Sequence, residues 1–309
     1  MSVVLPFSRE FEFTPGVAEE VTPGLRRLVA NNPSQFTFKG TNSYIVGNGA
    51  VAVVDPGPDD DEHLNAILAE LQKKGERVTH IFLTHTHKDH SASLGRFAEM
   101  TGAQVLGYGS TMEGREVVHL SAASEDFIDA DFTPDRALKG GERVAGGDWE
   151  LEAVYTPGHA PDHLCFALGD GATLLSGDHV MGWNTTVVAP PEGNMKDYIR
   201  SLEVLLQRPE TVYFPGHGGR VDQAQRLVKA FIMHRRWREA QILDSLAQGL
   251  DTIDSILPKI YEGLASSLHD AAAYSILAHL ELLVEQQLVT ADPLPPGRDS
   301  RYWRPADRA

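Results

Sequence analysis

The chain contains the hexapeptide His-Thr-His-Lys-Asp-His at residues 85–90, directly after an apolar run that predicts a β-strand. Side chains two positions apart in an extended segment point to the same side, so His85 and His87 can bind one ion. A helix that begins after His87 would turn Asp89 and His90 toward a second position nearby. Four metal-binding side chains within six residues predict a metal site.

Three further fragments combine an apolar strand, a glycine-containing turn and a side chain that can bind a metal. They are Thr156-Pro157-Gly158-His159, Ser176-Gly177-Asp178 and Phe214-Pro215-Gly216-His217. Strand ends at one edge of a sheet can converge on a common point, and glycine lets the backbone approach that point closely. We therefore expect His159, Asp178 and His217 to join the hexapeptide in one site.

The order His-x-His-x-Asp-His, Pro-Gly-His, Gly-Asp and Pro-Gly-His, preceded by an Asp at a strand end, resembles the metallo-β-lactamase-fold hydrolase superfamily. The resemblance covers roughly residues 35–220. It implies an α/β (α+β) fold, organised as a four-layer αββα sandwich with a site for two metal ions.

The resemblance also implies how the ligands divide between the two ions. The ligands of the first ion would be His85, His87 and His159. The ligands of the second ion would be Asp89, His90 and His217. Asp178 would bridge the two ions, and Asp55 would orient a ligand without touching either ion.

Five imidazoles and two carboxylates suit Zn²⁺ best, and iron or manganese also fits. Two cations about 3.5–4 Å apart can hold a hydroxide at neutral pH, and this hydroxide can attack a carbonyl or phosphorus centre. No Ser or Cys nucleophile is then needed. We predict a dinuclear-metal hydrolase with Asp89 and Asp178 among its catalytic residues. We expect His163 to support a ligand or to have a structural role, without binding a metal itself, and Lys88 to face solvent, while a substrate contact of His179 stays open.

The pattern becomes mainly helical in the last part of the chain. Candidate helices at 223–248, 252–261 and 271–287 precede two short strands, which is the arrangement of a winged-helix module. We predict a catalytic domain over residues 1–222 and a winged-helix-like domain over 223–309.

Two substrate classes fit this organisation. Residues 40–44 and 178–182, together with the helical tail, are similar to lactamase-β-like hydrolases with a C-terminal winged-helix domain. The first class is an ester, thioester or related acyl bond in a small molecule, with the tail as a pocket wall or a homodimer contact. The alternative is single-stranded RNA, cleaved by a metal-dependent endoribonuclease or phosphodiesterase.

Charge favours the first class. The net charge is −16, from 27 basic and 43 acidic residues, and an acidic body repels polyanions. Residues 226–238 hold five basic residues and no acid, but on a helix these residues divide between two faces.

The remaining composition predicts the compartment. No apolar run is long enough to span a membrane, and the first residues do not resemble a secretory signal. A single cysteine, Cys165, fits a reducing compartment and a structural thiol. We expect a cytoplasmic protein without a membrane partner.

Overall fold

The structure is a computed structural model that describes residues 5–109, 128–129 and 131–307. Within these ranges, two β-sheets pack face to face and helices cover the outer face of each sheet. The expected αββα sandwich is therefore confirmed. The segment 108–138, for which the sequence pattern indicates no regular element, lies largely outside the described residues, as does His119.

Seven strands form the first sheet, in the order of the sequence. They are Glu19–Thr22 (β1), Leu25–Val29 (β2), Asn42–Val46 (β3), Ala50–Val54 (β4), Arg77–Phe82 (β5), Gln104–Gly107 (β6) and Arg136–Ala137 (β7). Pairing is antiparallel from β1 to β4 and parallel from β4 to β7. The parallel part brings the ends of β4 and β5 to the same edge.

Strands β1 and β2 do not follow from the sequence pattern, because charged side chains interrupt their apolar runs. Arg26 of β2 is only 4% exposed. Its guanidinium nitrogens lie 3.2 Å from Glu70 Oε1 and 2.6 Å from Glu76 Oε2. These two carboxylates are distant in sequence and compensate a charge that could not be buried alone.

Five strands form the second sheet, in the order β12-β11-β10-β9-β8. They are Arg143–Gly146 (β8), Trp149–Tyr155 (β9), Leu164–Leu168 (β10), Thr173–Gly177 (β11) and Val212–Pro215 (β12). Strands β11 and β12 are parallel, and the other neighbours are antiparallel. Consequently β9, β11 and β12 run in one direction and end at one edge.

Helices complete the four layers. They are Asp61–Lys74 (α1), Lys88–Ser91 (α2), Leu94–Thr101 (α3), Met195–Leu206 (α4) and Ala224–Ala247 (α5). The apolar faces of α1 and α3 pack on the first sheet, and those of α4 and the first half of α5 pack on the second. Between the sheets, the Phe82 ring lies 5.1 Å from the Phe166 ring and 5.9 Å from the Trp149 ring, measured between centroids. Burial of each such side chain contributes about 1.5–3 kcal/mol.

A C-terminal module follows, and the second half of α5 forms part of its core. Its other elements are Ile253–Ile260 (α6), His269–Glu285 (α7), Thr290–Asp292 (β13) and Arg301–Trp303 (β14). The first of the two expected short strands begins at Thr290, after residues that continue the end of α7. Gln287 adopts a left-handed φ of 61°, and the Leu288 amide donates to the Leu283 carbonyl, so these residues terminate α7. Among the described residues, no helix is long and apolar enough to cross a membrane.

Asn42, at the start of β3, connects the first sheet to the end of β12. Its side-chain amide donates to the carbonyls of Pro215 and Gly218 at 2.8 and 2.9 Å, and its backbone amide donates to the Gly216 carbonyl at 2.7 Å. These carbonyls surround His217. The hydrogen bonds therefore hold the edges of the two sheets together at the point where the predicted site lies.

Replacement of this side chain should destabilise the protein. Asn42→Ala leaves two buried carbonyls without their donor, and we expect the free energy of unfolding to fall by about 1–3 kcal/mol. Chemical denaturation measures this change. The control is Asn65→Ala on the exposed face of α1, which should change the same quantity by less than about 0.5 kcal/mol. Equal stability of the two variants would contradict the role of Asn42.

Candidate metal centre

The eight predicted residues lie at the ends of strands, at the edge where the two sheets meet. Asp55 follows β4, the hexapeptide follows β5, His159 follows β9, Asp178 follows β11 and His217 follows β12. The α2 helix begins directly after His87 and turns the two last ligand candidates of the hexapeptide inward. The expected convergence of strand ends is therefore confirmed.

The first cluster consists of three histidines. His85 Nε2 lies 2.9 Å from His87 Nδ1, and His159 Nε2 lies 3.1 Å from the same Nδ1 atom. One ring nitrogen of each residue lies within 4.8 Å of those of the other two. Nitrogen ligands at this separation can surround a single cation.

The second cluster consists of one carboxylate and two histidines. Asp89 Oδ2 lies 3.1 Å from His217 Nε2 and 3.3 Å from His90 Nε2. The three ligand atoms again lie within 4.8 Å of one another. The hexapeptide thus supplies two residues to each cluster. The sequence pattern predicts this division, because side chains two positions apart in an extended segment share a direction and the helix that follows redirects the last two.

Asp178 lies between the two clusters. Its Oδ2 atom is 3.3 Å from His217 Nε2 and 3.8 Å from His159 Nε2, and its Oδ1 atom is 3.5 Å from His90 Nε2. Only a glycine fits beside it at position 216, where a Cβ atom would lie 2.5 Å from Asp178 Oδ1. This carboxylate therefore lies within 4 Å of ligand atoms of both clusters, and its ligand atom also lies within 4.8 Å of those of His85 and His90.

The ring nitrogens that face away from the clusters all have oxygen partners. The pairs are His85 Nδ1 with Thr84 Oγ1 (3.0 Å), His87 Nε2 with Glu192 Oε2 (3.1 Å), His90 Nδ1 with Asp55 Oδ2 (2.9 Å), His159 Nδ1 with the Val187 carbonyl (2.7 Å), and His217 Nδ1 with the Gly40 carbonyl (3.2 Å). A nitrogen that donates to such an oxygen leaves the opposite nitrogen of a neutral imidazole unprotonated. The five rings are therefore oriented to bind a cation in the centre.

Asp55 supports two of these rings. It accepts a hydrogen bond from His90 directly, and it accepts a second from the Thr84 hydroxyl at 2.7 Å. Because the Thr84 hydroxyl donates to Asp55, its oxygen is free to accept from His85. The supporting role that the resemblance implies for Asp55 agrees with this geometry.

Two supporting residues do not follow from the sequence. Glu192 lies in a loop between β11 and α4, and no strand or spacing points to it. Thr84 precedes the hexapeptide immediately, and that position is the one signal that could have identified it. Glu192 lies beside His87 only because the chain folds, since the two residues are distant in sequence.

The three other residues singled out by the sequence lie around the site. His163 accepts from the Asp178 backbone amide at 3.1 Å through Nε2, so it supports a ligand candidate as expected. Lys88 is exposed, also as expected. His179 is buried, and its ring packs 4.6 Å from the Tyr198 ring between centroids.

The electrostatics of the site favour positive charge at its centre. Burial opposes ionisation of each group, yet the carboxylates of Asp89 and Asp178 hold the pKa of His90 well above its usual value. In return, His90 and His217 outweigh burial and hold the pKa of both carboxyls well below their usual range. Buried carboxylates need such compensation, and divalent cations would supply it in place of the imidazole protons. The residues present therefore fit a metal centre.

Solvent reaches the site from one side. The side chains of His85, His90 and His217 are buried. Those of His87, Asp89 and His159 remain 19%, 28% and 11% exposed, respectively. A substrate can therefore approach the side on which these three residues lie.

Comparison with known proteins identifies the family of each part of the chain. The profile of the Metallo-beta-lactamase superfamily matches residues 36–217, and that of the Beta-lactamase associated winged helix domain matches residues 252–295. The Beta-lactamase-like protein 2 homolog of Drosophila melanogaster is 30% identical over 276 residues, which cover 86% of this chain and 89% of that protein. An atrochrysone carboxyl ACP thioesterase of Pseudocercospora fijiensis is 27% identical over 234 residues, which cover 74% of this chain and 63% of that protein.

Solved structures share the fold. A metallo-beta-lactamase family protein from Thermus thermophilus superposes with a TM-score of 0.73 and 25% sequence identity, and the match covers 92% of this chain and 99% of that protein. The C-terminal module is accordingly a winged-helix domain. With a superfamily match over more than half of its length, the chain belongs to the metallo-beta-lactamase superfamily.

Proposed function

We propose that the protein is a hydrolase that holds two divalent cations and cleaves a thioester or related ester of a small molecule. The observation that carries this proposal is the position of Asp178 between two clusters of ligand atoms. A carboxylate in that place can contact two cations at once. The superfamily relationship supports hydrolysis as the reaction class.

We assign one cation to His85, His87 and His159. We assign the other to Asp89, His90 and His217, with Asp178 shared. Zn²⁺ is the cation that we propose, because imidazole nitrogens predominate among the ligands. When bound, the cations would polarise the scissile carbonyl and lower the pKa of water to near neutrality.

The protein's own residues orient this centre. Asp89 is held by the Thr41 hydroxyl, which donates to its Oδ2 atom at 3.2 Å. The Thr41 backbone amide in turn donates to Asn32 Oδ1 at 2.9 Å. Asp89, one of the partly exposed ligand candidates, is thereby fixed before a substrate arrives, which is how positioned groups contribute to catalysis.

A covalent mechanism through the single cysteine has no support. The Cys165 thiol is buried beneath the second sheet, 3.2 Å from the Thr156 hydroxyl, and burial raises its pKa to about 12. A thiol in this state is not a nucleophile. It packs as a structural residue, which agrees with the sequence-based expectation.

A thioester is the substrate class that the relatives favour. Two curated relatives carry the name of a thioesterase, and one of them is 27% identical to this chain over 234 residues. The single-stranded RNA alternative has little support from α5, because only three basic residues of this helix are exposed. Arg226, Lys229 and Arg236 are exposed there, whereas Arg235 is buried and Arg238 is partly buried.

The first prediction concerns metal content. Protein reconstituted with Zn²⁺ and freed of excess metal should contain about two equivalents per chain by elemental analysis, because the ligands form two clusters. His159→Ala should lower the content, since it removes one ligand of the first cluster. A wild-type content that stays at one equivalent would contradict a dinuclear centre.

The second prediction concerns the support of His87. Glu192→Gln removes the negative charge beside its Nε2 atom, and we expect Zn²⁺ affinity to fall by about 10–100-fold in competition with a chelator. The control is Glu203→Gln, whose side chain is 51% exposed on α4 and which should leave the affinity unchanged. Equal affinities of the two variants would exclude this role of Glu192.

The third prediction concerns catalysis. Asp178→Ala should lower kcat/KM for thioester hydrolysis by more than about a hundredfold, because it removes the shared ligand. Asp222→Ala, at a side chain that is 69% exposed, should retain activity. The substrate panel contains thioesters, lactones, β-lactams and single-stranded RNA. RNA cleavage that Asp178→Ala abolishes, without any thioester turnover, would replace the present proposal.

A further inference from the structure

A cavity of about 150 Å³ lies between the catalytic domain and the C-terminal module. The catalytic domain contributes Gln35, Phe36, Met181 and the segment 183–187. The module contributes Tyr261, Leu264, Leu268, Ala271, Ala272 and Ser275. None of these residues carries a charge, and apolar side chains predominate. Cavities of this composition bind apolar groups.

Residues that line this cavity also form hydrogen bonds with ligand candidates of the metal centre. The Val187 carbonyl accepts the hydrogen bond from His159, and the Thr186 hydroxyl donates to the Asp178 carbonyl at 2.8 Å. Trp183 packs so closely on Gly218, the residue after His217, that a Cβ atom there would lie 2.8 Å from Trp183 Cδ1. The cavity therefore adjoins the supports of three ligand candidates.

Trp183 contributes an apolar surface to this wall. The residue is only 6% exposed, and its indole N–H, which has no hydrogen-bond partner within the described residues, is covered by protein atoms. The edge of the ring that carries Cδ1 and Nε1 lies against Gly218. The ring therefore offers the cavity carbon atoms and no hydrogen-bond donor.

The module side of the cavity is held in place by two sets of contacts. The Ser267 hydroxyl donates to Gln35 Oε1 at 3.0 Å, and the Gln35 amide donates to the Ser267 carbonyl at 3.3 Å. The Arg238 guanidinium lies 4.3 Å from the centroid of the Tyr261 ring and donates to the Ile260 carbonyl at 3.0 Å. These contacts hold the module residues in place around the cavity.

We propose that this cavity binds the acyl group of the substrate and selects an uncharged aromatic or compact apolar group. This proposal rests on the proposed thioester hydrolysis. A cavity of roughly 150 Å³ accepts a single benzene ring, so one six-membered ring is the size that fits. Phe36, which is 43% exposed, lies in the lining where a larger acyl group would extend toward solvent. Residues of the C-terminal module then determine which acyl groups fit.

The experiment compares phenylacetyl and acetyl thioesters of N-acetylcysteamine. Ala271→Phe places a ring in the cavity, and we expect the ratio of kcat/KM for phenylacetyl over acetyl to fall at least about tenfold, through a higher KM for phenylacetyl. The matched control is Ala265→Phe, at an exposed position of the same module outside the cavity, which should keep the wild-type ratio. A wild-type ratio in a folded Ala271→Phe variant would overturn the proposal.

A binding measurement separates failure of the cavity from failure of the proposed function. If the wild type cleaves neither thioester, the proposed function is wrong, and phenylacetamide is titrated with tryptophan fluorescence as the readout. Binding that weakens about tenfold in Ala271→Phe but not in Ala265→Phe would still support the cavity. Absence of phenylacetamide binding to the wild type would refute it.

Discussion

The structure depends on the compensation of two carboxylates, those of buried Asp178 and of partly exposed Asp89, at the edge where the two sheets meet. A negative charge removed from water requires a positive partner at short range. The imidazoles of His90 and His217 fill that place here, within 3.1–3.5 Å of the carboxylate oxygens. These four side chains follow the ends of three strands, β5, β11 and β12, so the contacts form only because the two sheets bring these ends to one point.

Hydrogen bonds to the ligand candidates and to the turns that carry them connect the site to the rest of the fold. Asp55 links β4 to the hexapeptide, and Asn42 links the start of β3 to the turn that carries His217. Gly216 permits the close approach that any side chain would block. The rigid sandwich thus positions the centre, while the loop at 183–187 connects the centre to the cavity beside it. A site built on rigid elements with a loop at its rim can vary its substrate without loss of its ligands.

The winged-helix module is best understood from what it contacts. Its net charge is close to zero, with 10 basic and 11 acidic residues over positions 223–309. Its helix α5 spans both cores, because Phe231 packs on the second sheet and Ile242 packs within the module. The module is therefore anchored to the catalytic domain, and its residues complete an uncharged cavity instead of a basic surface.

Much of the fold could be predicted from the sequence. The apolar runs of β3, β4, β5, β9, β10 and β12 and the periodicity of the helices are local patterns, and local patterns reflect which face of an element is buried. Strands β1, β2 and β8 escape this reasoning. For β2 the reason is clear, since buried Arg26 depends on Glu70 and Glu76, which only the folded chain brings near. The start of β13 likewise depends on how α7 terminates at Gln287.

The metal-binding candidates follow from the sequence because their chemistry is local. Each is a His or Asp that follows an apolar strand and a turn, and spacing within the hexapeptide predicts which side chains share a direction. Glu192, Thr84 and Trp183 do not follow from it. Each acts through a partner that is distant in sequence or through its own burial. A local sequence pattern shows neither a distant partner nor burial by the rest of the fold. The sequence alone therefore indicates the candidate ligands and, through the superfamily, hydrolysis as the class of reaction. The packing of the sheets and of the C-terminal module determines which atoms orient these candidates and which residues line the cavity beside them, because both depend on contacts between residues that are distant in sequence.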